Sequence, residues 1–223
     1  MSVFSAKSET PTNLLRLASA IKREDGEGMK QMILYDPGAG PDGMLGSIIG
    51  GRIGEGLDVS ILEIYTFLAS NYDHGDEIYM FGFSRGSYII RSVAEMIYEV
   101  GLVSRIQLDH VNEAYKLYRD NDFESEQAVS FRAQYGERIK IELVACFETV
   151  GLMGIPLQGF GLMRNFIRER YELHRTTLSE DTENAIHILG IDEEGACKLF
   201  IFSLKYFAET LWIKELTKCL KIE

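Results

Sequence analysis

The apolar positions along the chain form two kinds of block, which predict strands that alternate with helices. Nearly continuous apolar runs, typical of strands covered on both faces of a parallel sheet, occupy residues 77–83 and 139–147. Other segments repeat apolar residues at helical spacing. They predict helices over residues 12–21, 57–71, 111–118, 124–135 and 181–189, a helix after residue 84 that stops at Gly101, and a short strand over residues 31–35. This alternation predicts an α/β fold, with a parallel sheet and flanking helices.

Length and composition are those of a globular domain. The 223 residues, 46% of them hydrophobic, suffice for one packed core, so we expect a single domain over residues 1–223. The net charge of 23 − 34 = −11 argues against nucleic acid as a partner, because that binding needs Lys and Arg to displace counterions. No apolar run approaches the roughly 20 residues of a transmembrane segment, and residues 1–12 lack the apolar core of a secretory signal.

The spacing of cysteines and histidines predicts no metal and no cofactor. Cys146, Cys197 and Cys219 are an odd number without a C-x-x-C pair, which favours free thiols in the cytoplasm over disulfides. The histidines form no pair at metal-binding spacing. Residues 38–43 formally match the G-x-G-x-x-G loop of dinucleotide-binding proteins, but no helix opens there, and Pro41 and Asp42 oppose a pyrophosphate.

The pentapeptide Gly-Phe-Ser-Arg-Gly at residues 82–86 carries the clearest chemical signal, because it matches G-x-S-x-G. It stands where a buried strand ends and an amphipathic helix begins, which is the context of a nucleophile elbow. The glycines on both sides let the backbone turn sharply and the helix pack closely on the strand. The Ser84 hydroxyl would then be exposed at a helix N-terminus, where backbone N–H groups, including that of Arg85, stabilise an oxyanion. The alternative is a Gly-flanked serine in an ordinary strand-to-helix loop.

A serine nucleophile needs a base, and the base needs an orienting carboxylate. Glu148 directly follows the second predicted strand, at the sheet edge beside the elbow, and is the candidate acid. The alternative for Glu148 is a solvated charge at a strand end. His187 has the chain order expected of the base, but its apolar neighbours favour a histidine packed in a helix. His174 is an equally open candidate.

Five ordered blocks cover nearly the whole chain, from residue 11 to about residue 212. They are YDPGAG at 35–40, FGFSRGSY at 81–88, FETVG at 147–151 with GIP at 154–156, ELHRTTL at 172–178, and the later IDE and ETLW segments at 191–193 and 209–212. They resemble the YDPGVG, GFSRGAYTAR, WDTVG…GIP and later blocks of an α/β-hydrolase domain family that includes the type VI secretion phospholipase effectors, with their Tle1-like catalytic domains. The resemblance implies an α/β-hydrolase fold in which Ser84 is the nucleophile and Glu148 stands where the family has the triad Asp.

The same resemblance implies an incomplete domain. The family begins with a strand that ends in a DGT-type turn, and it continues past the TLW segment into a GVHSDVGGG block that supplies the catalytic His. Neither block occurs in these 223 residues. We therefore expect a partial α/β-hydrolase domain, short at both ends, with a sheet edge or an apolar patch exposed where the missing strands belong.

Two hypotheses about function follow. The first is a serine hydrolase of the phospholipase or esterase type, whose partner is a lipid or other ester. It uses Ser84, Glu148 and the Arg85 N–H, and its activity is in doubt because the histidine block is absent. The alternative is a catalytically inactive hydrolase-like binding domain or a gene fragment.

Overall fold

A computed structural model gives the structure of residues 11–38, 55–147 and 178–188. The helices are α1 (Asn13–Ala20), α2 (Glu55–Asn71), α3 (Arg85–Val100), α4 (Val111–Asp120) and α5 (Glu126–Tyr135), with a 3-10 turn at Leu108–His110; the strands are β1 (Tyr79–Phe83), β2 (Ile141–Phe147) and β3 (Thr182–Ile188). The chain divides after Asp36 into two compact units, which are described separately. The single domain expected over residues 1–223 stays a prediction.

The larger unit is built on a parallel sheet with the strand order β1–β2–β3. The middle strand, β2, is buried at most of its positions, as expected of a parallel strand covered on both faces. Two neighbouring rows of the register are important for the site: Gly82–Cys146–His187 and Phe83–Phe147–Ile188. Successive residues of a strand point to opposite faces, so these two rows lie on opposite faces of the sheet.

Helix α3 follows β1 almost directly and packs on β1 and β2, while α2 and α4 pack against α3. The fully buried side chains of Val93, Met96 and Ile97 place the core around this helix. The helix stops at Gly101, whose φ of +81° lies in the left-handed region that glycine adopts without strain. Tyr65 of α2 fixes this end, because its hydroxyl donates to the Gly101 carbonyl at 2.7 Å.

The described part of the smaller unit, residues 11–36, contains α1 and a turn. Thr12 caps the helix, since its Oγ1 accepts a hydrogen bond from the Leu15 N–H at 3.2 Å. The turn is held by Asp25, whose Oδ1 accepts from the N–H groups of Glu27 at 2.8 Å and Met29 at 2.9 Å.

The structure confirms the predicted α/β class, with a parallel sheet flanked by helices, and most predicted elements within a few residues. The predictions of two elements were wrong. Residues 181–189, predicted as a helix, contain β3, because a short segment of mixed polar and apolar residues fits either element and hydrogen bonding to β2 decides. Residues 31–35, predicted as a strand, form none; the side chains of Met32, Ile33 and Leu34 are exposed, and a strand requires a bonded neighbour.

None of the described helices combines the length and the apolar character that a membrane span requires.

Candidate active site

Ser84 lies between β1 and α3 in a backbone conformation that few residues adopt. Its φ is +55° and its ψ is −113°; among the described residues other than glycine, only Asn121 also has a positive φ. Such a conformation costs about 1–3 kcal/mol and is typical of active sites. The strand, the sharp turn and the helix predicted around Ser84 are all found, and this is the arrangement that exposes a nucleophilic hydroxyl at the end of a strand.

The close approach of helix and strand requires a glycine at one flank of Ser84 only. A Cβ atom on Gly82 would lie 2.5 Å from the carbonyl carbon and oxygen of Gly86 and 2.6 Å from the Ser87 nitrogen. These are backbone atoms, so they could not move aside without shifting the helix. A Cβ on Gly86 would meet no described atom within 4 Å. The expected steric need for glycine on both sides therefore applies to Gly82 and not to Gly86.

Hydrogen bonds hold Ser84 at both of its backbone polar groups. Its N–H donates to the Phe147 carbonyl at 2.9 Å, and its carbonyl accepts from the Ser87 N–H at 3.1 Å. The Ser87 hydroxyl lies within donating distance of the Gly82 carbonyl, at 2.8 Å, and of the Phe147 carbonyl, at 3.2 Å. The ends of β1 and β2 and the first turn of α3 are thus joined around Ser84.

The sequence analysis did not identify Ser87 as part of the site. The available signal was its helical spacing from Ile90, three residues later, which places the hydroxyl on the buried side of α3. That pattern indicates burial, but it does not indicate which carbonyl groups the hydroxyl meets.

Arg85 is the first residue of α3. The N–H groups of a first turn point out of the helix N-terminus, where they and the helix dipole favour negative charge. The Arg85 N–H is therefore one of the first-turn N–H groups at the helix end next to Ser84. Its role in binding an oxyanion stays a prediction.

Glu148 and His174 lie outside the described residues, and their catalytic roles stay predictions. The described chain reaches Phe147, directly before Glu148. Phe147 pairs with Phe83, which directly precedes Ser84. The chain therefore leaves β2 beside the elbow, at the same edge of the sheet.

His187 lies on β3 in the row that contains Gly82, two strands away. A side chain on Gly82 would meet α3, so His187 also faces the α3 side of the sheet. Its Nε2 is buried and has no hydrogen-bond partner among the described residues. Burial lowers the pKa of the His187 imidazole, and the positive charge of Arg91 lowers it further. The structure thus places His187 in a strand beside α3, where the sequence predicted a histidine in a helix, and does not join it to Ser84.

A buried polar cluster lies on the inner side of α3. The Tyr118 hydroxyl donates to Glu95 Oε2 at 2.9 Å, and burial raises the pKa of this tyrosine. Burial lowers the pKa of Arg91, while its nearness to Cys146 and Glu95 acts in the opposite direction. Charges that are buried need such partners. The cluster contributes to the packing of α3 on the sheet.

An apolar row begins directly beside Ser84, on the sheet face away from α3. It consists of Phe83, Phe147 and Ile188. Phe83 is 52% exposed and Ile188 is 40% exposed, which is high for large apolar side chains. This row is an apolar surface next to the Ser84 residue.

Within the described ranges, no three His, Cys, Asp or Glu side chains converge as a metal site requires. Cys146 is buried. Residues 39–43 of the glycine-rich pattern lie outside the described residues, as do Cys197, Cys219 and the apolar residues 199–211.

Comparison with known proteins identifies relatives of the chain. A profile of the family described as "T6SS, Phospholipase effector Tle1-like, catalytic domain" matches residues 2–201. The chain is 28% identical over 218 residues to "Uncharacterized protein YEL023C" of Saccharomyces cerevisiae. That match covers 86% of this chain and 30% of the yeast protein, so the chain spans about three-tenths of the length of that curated relative. No solved structure matches the chain.

Proposed function

The chain belongs to the family of type VI secretion Tle1-like phospholipase effector catalytic domains, and from this premise we propose that it is a serine hydrolase of the phospholipase or esterase type. The substrate would be a carboxylic ester with an apolar acyl part. The observation that carries the proposal is the strained conformation of Ser84 at the junction of β1 and α3. A family member that has lost its chemistry has no need to keep such strain.

In the proposed mechanism, the Ser84 Oγ attacks the ester carbonyl carbon while a base takes its proton. The negative charge that develops on the carbonyl oxygen is stabilised at the N-terminus of α3, with the Arg85 N–H as one donor. The alcohol leaves with a proton from the base, and water then releases the acid from Ser84 by the same steps. The row of Phe83, Phe147 and Ile188 supports this proposal, because it offers an apolar surface for the acyl chain beside the hydroxyl.

We propose Glu148 as the orienting acid and take His174, rather than His187, as the candidate base among the histidines of these residues. The other three histidines have different surroundings: His74 pairs with Glu137 at 3.7 Å, His110 pairs with Glu113 at 3.2 Å, and His187 faces α3. His174 also follows Ser84 and Glu148 in the chain order of α/β-hydrolase triads.

The surroundings of the proposed enzyme follow from charge and cysteine chemistry. We propose that it works in the cytoplasm, because three cysteines without a C-x-x-C pair favour reduced thiols over disulfides. Nucleic acid is not among its proposed partners, because a net charge of −11 opposes binding to phosphates.

A fluorophosphonate probe tests the proposal, because it reacts with activated serines. The folded protein should be labelled, and Ser84→Ala should abolish the labelling. Fatty acid release from phosphatidylcholine vesicles should disappear in the same variant. Ser19→Ala is the control, because Ser19 is an exposed helical serine whose hydroxyl donates to the Leu15 carbonyl, and it should be labelled like the parent.

The histidine assignment has its own comparison. His174→Ala should reduce the labelling rate by about a thousandfold, the scale on which triad members act together. His187→Ala should leave it within about twofold of the parent rate, because that ring is not bonded to Ser84. Folded protein without Ser84-dependent labelling would contradict the enzyme proposal and favour an inactive hydrolase-like binding domain.

A further inference from the structure

Ser87 is a buried serine, distinct from the proposed nucleophile, that contacts both strand ends of the site. Its side chain is 0% exposed. Its Oγ lies 2.8 Å from the Gly82 carbonyl oxygen on β1 and 3.2 Å from the Phe147 carbonyl oxygen at the end of β2. A hydroxyl that bonds to two different strands ties the helix to both of them.

One of the two acceptors, the Phe147 carbonyl, also holds Ser84. The Phe147 carbonyl accepts from the Ser84 N–H at 2.9 Å as well as from the Ser87 hydroxyl. The Ser84 carbonyl accepts from the Ser87 N–H at 3.1 Å. Ser87 therefore constrains both backbone polar groups of Ser84. Its N–H bonds directly to the Ser84 carbonyl, and its hydroxyl shares the Phe147 carbonyl as an acceptor with the Ser84 N–H.

We propose that Ser87 is a positioning residue, whose hydroxyl holds Ser84 in its reactive conformation by joining α3 to β1 and β2. This inference rests on the proposed function, in which Ser84 is the nucleophile. A residue with a φ of +55° and a ψ of −113° keeps that conformation only where its surroundings enforce it. The Ser87 hydroxyl supplies part of that constraint, and it does so without contacting the substrate.

The hydroxyl is the group that matters, because nothing else on this side chain can donate to a carbonyl. Alanine at this position would keep the helix, the packing of the Cβ atom and the Ser87 N–H bond to Ser84. It would remove one donor from two carbonyl oxygens at the turn. The expected consequence is a Ser84 side chain that samples orientations in which attack does not occur.

The test compares the rate of Ser84 labelling by a fluorophosphonate in the parent, in Ser87→Ala and in Ser92→Ala. Ser92 is the matched control, because it lies on the same helix and is equally buried, while its hydroxyl bonds to neither strand. We expect labelling of Ser87→Ala to slow by roughly tenfold, the effect of one lost aligning hydrogen bond. Ser92→Ala should keep the parent rate.

Further readouts separate positioning from stability. With an ester substrate, Ser87→Ala should lower kcat and leave KM unchanged, because the loss falls on the transition state. In a plot of labelling rate against pH, the midpoint should stay the same and the maximal rate should be lower. Ser87→Cys, which keeps the shape of the side chain but is a weaker donor, should show an intermediate loss.

The outcomes distinguish this proposal from the one on which it rests. If the parent is labelled at Ser84 and folded Ser87→Ala reacts at the same rate, the positioning role is overturned and the hydrolase proposal stands. Equal losses in Ser87→Ala and Ser92→Ala also overturn it, because they indicate a general effect of buried hydroxyls. If the parent shows no Ser84 labelling, the hydrolase proposal itself fails.

Discussion

At the scale of single residues, the backbone of Ser84 couples reactivity to stability. Strain at this residue costs about 1–3 kcal/mol, whereas glycine adopts a positive φ freely but loses about 0.5–1 kcal/mol through its unfolded-state entropy. We therefore expect Ser84→Gly to raise the free energy of unfolding by about 1 kcal/mol while it abolishes labelling. Urea denaturation gives the measurement. Ser84→Ala, which keeps a Cβ atom and so keeps the strain, should stay within about 0.5 kcal/mol of the parent; a Gly variant less stable than the Ala variant would contradict the strain argument.

The two glycines that flank Ser84 should respond oppositely to the same substitution. Gly82→Ala places a Cβ atom 2.5 Å from the backbone of Gly86, so strand and helix must separate. We expect a loss of at least about 3 kcal/mol in the free energy of unfolding. Gly86→Ala meets open space among the described residues and gains helix propensity, so its stability should be unchanged or about 0.5–1 kcal/mol higher. Chemical denaturation of both variants decides this. Equal losses would contradict the difference between the two positions, and a Gly82→Ala variant as stable as the parent would show that the helix and strand are not in such close contact.

At the scale of elements, His187 should make the pairing of β3 depend on pH. Its folded pKa lies below the ordinary 6.5, because burial and the charge of Arg91 both disfavour the imidazolium. The unfolded chain therefore binds a proton before the folded chain does. The stability associated with this group is fully present above pH 6.5 and is lost as the pH falls from 6.5 towards the lower folded value.

Replacing this histidine tests the sign of that dependence. The free energy of unfolding of the parent should fall between about pH 7 and about pH 5, and His187→Gln should flatten that part of the curve. His74→Gln is the control, because it removes a histidine that is 95% exposed and lies outside the sheet. A His187→Gln curve parallel to the parent's would mean that His187 is protonated as readily in β3 as in the unfolded chain.

The same element shows what could and could not be predicted from the sequence. The strand–turn–helix around Ser84 was predictable, because a long apolar run, two glycines and a helical stripe all indicate it. The strand β3 was not, since residues 182–188 are a short segment of mixed polar and apolar residues, whose state is decided by hydrogen bonds to the distant β2. The opposite error occurred at Met32, Ile33 and Leu34, where a strand was predicted and none is found. These side chains are exposed, and β propensity without a neighbouring strand forms no sheet.

The candidate site was predictable to the same extent. A motif indicated Ser84 and the Arg85 N–H, because motif residues are local in sequence. The contact of Ser87 with Phe147 joins residues that are 60 positions apart, and no local pattern encodes it. The facing direction of His187 likewise depends on its register with Cys146. Long-range register is thus the part of the site that the sequence alone does not reveal.

At the scale of the whole molecule, the net charge of −11 should decide which lipid surfaces the proposed enzyme can use. An acidic protein is repelled by an anionic bilayer, and the repulsion is long-ranged at low salt, where the Debye length is about 30 Å at 10 mM and about 8 Å at 150 mM. We expect fatty acid release from zwitterionic phosphatidylcholine vesicles to exceed that from vesicles with about 30% anionic lipid at 10 mM salt, and the difference to shrink at 150 mM. A soluble short-chain ester is the control, because its hydrolysis requires no approach to a charged surface and should not respond to salt. Faster release from the anionic vesicles at low salt would contradict the argument, since it would mean that a locally basic surface, and not the net charge, governs the approach to lipid.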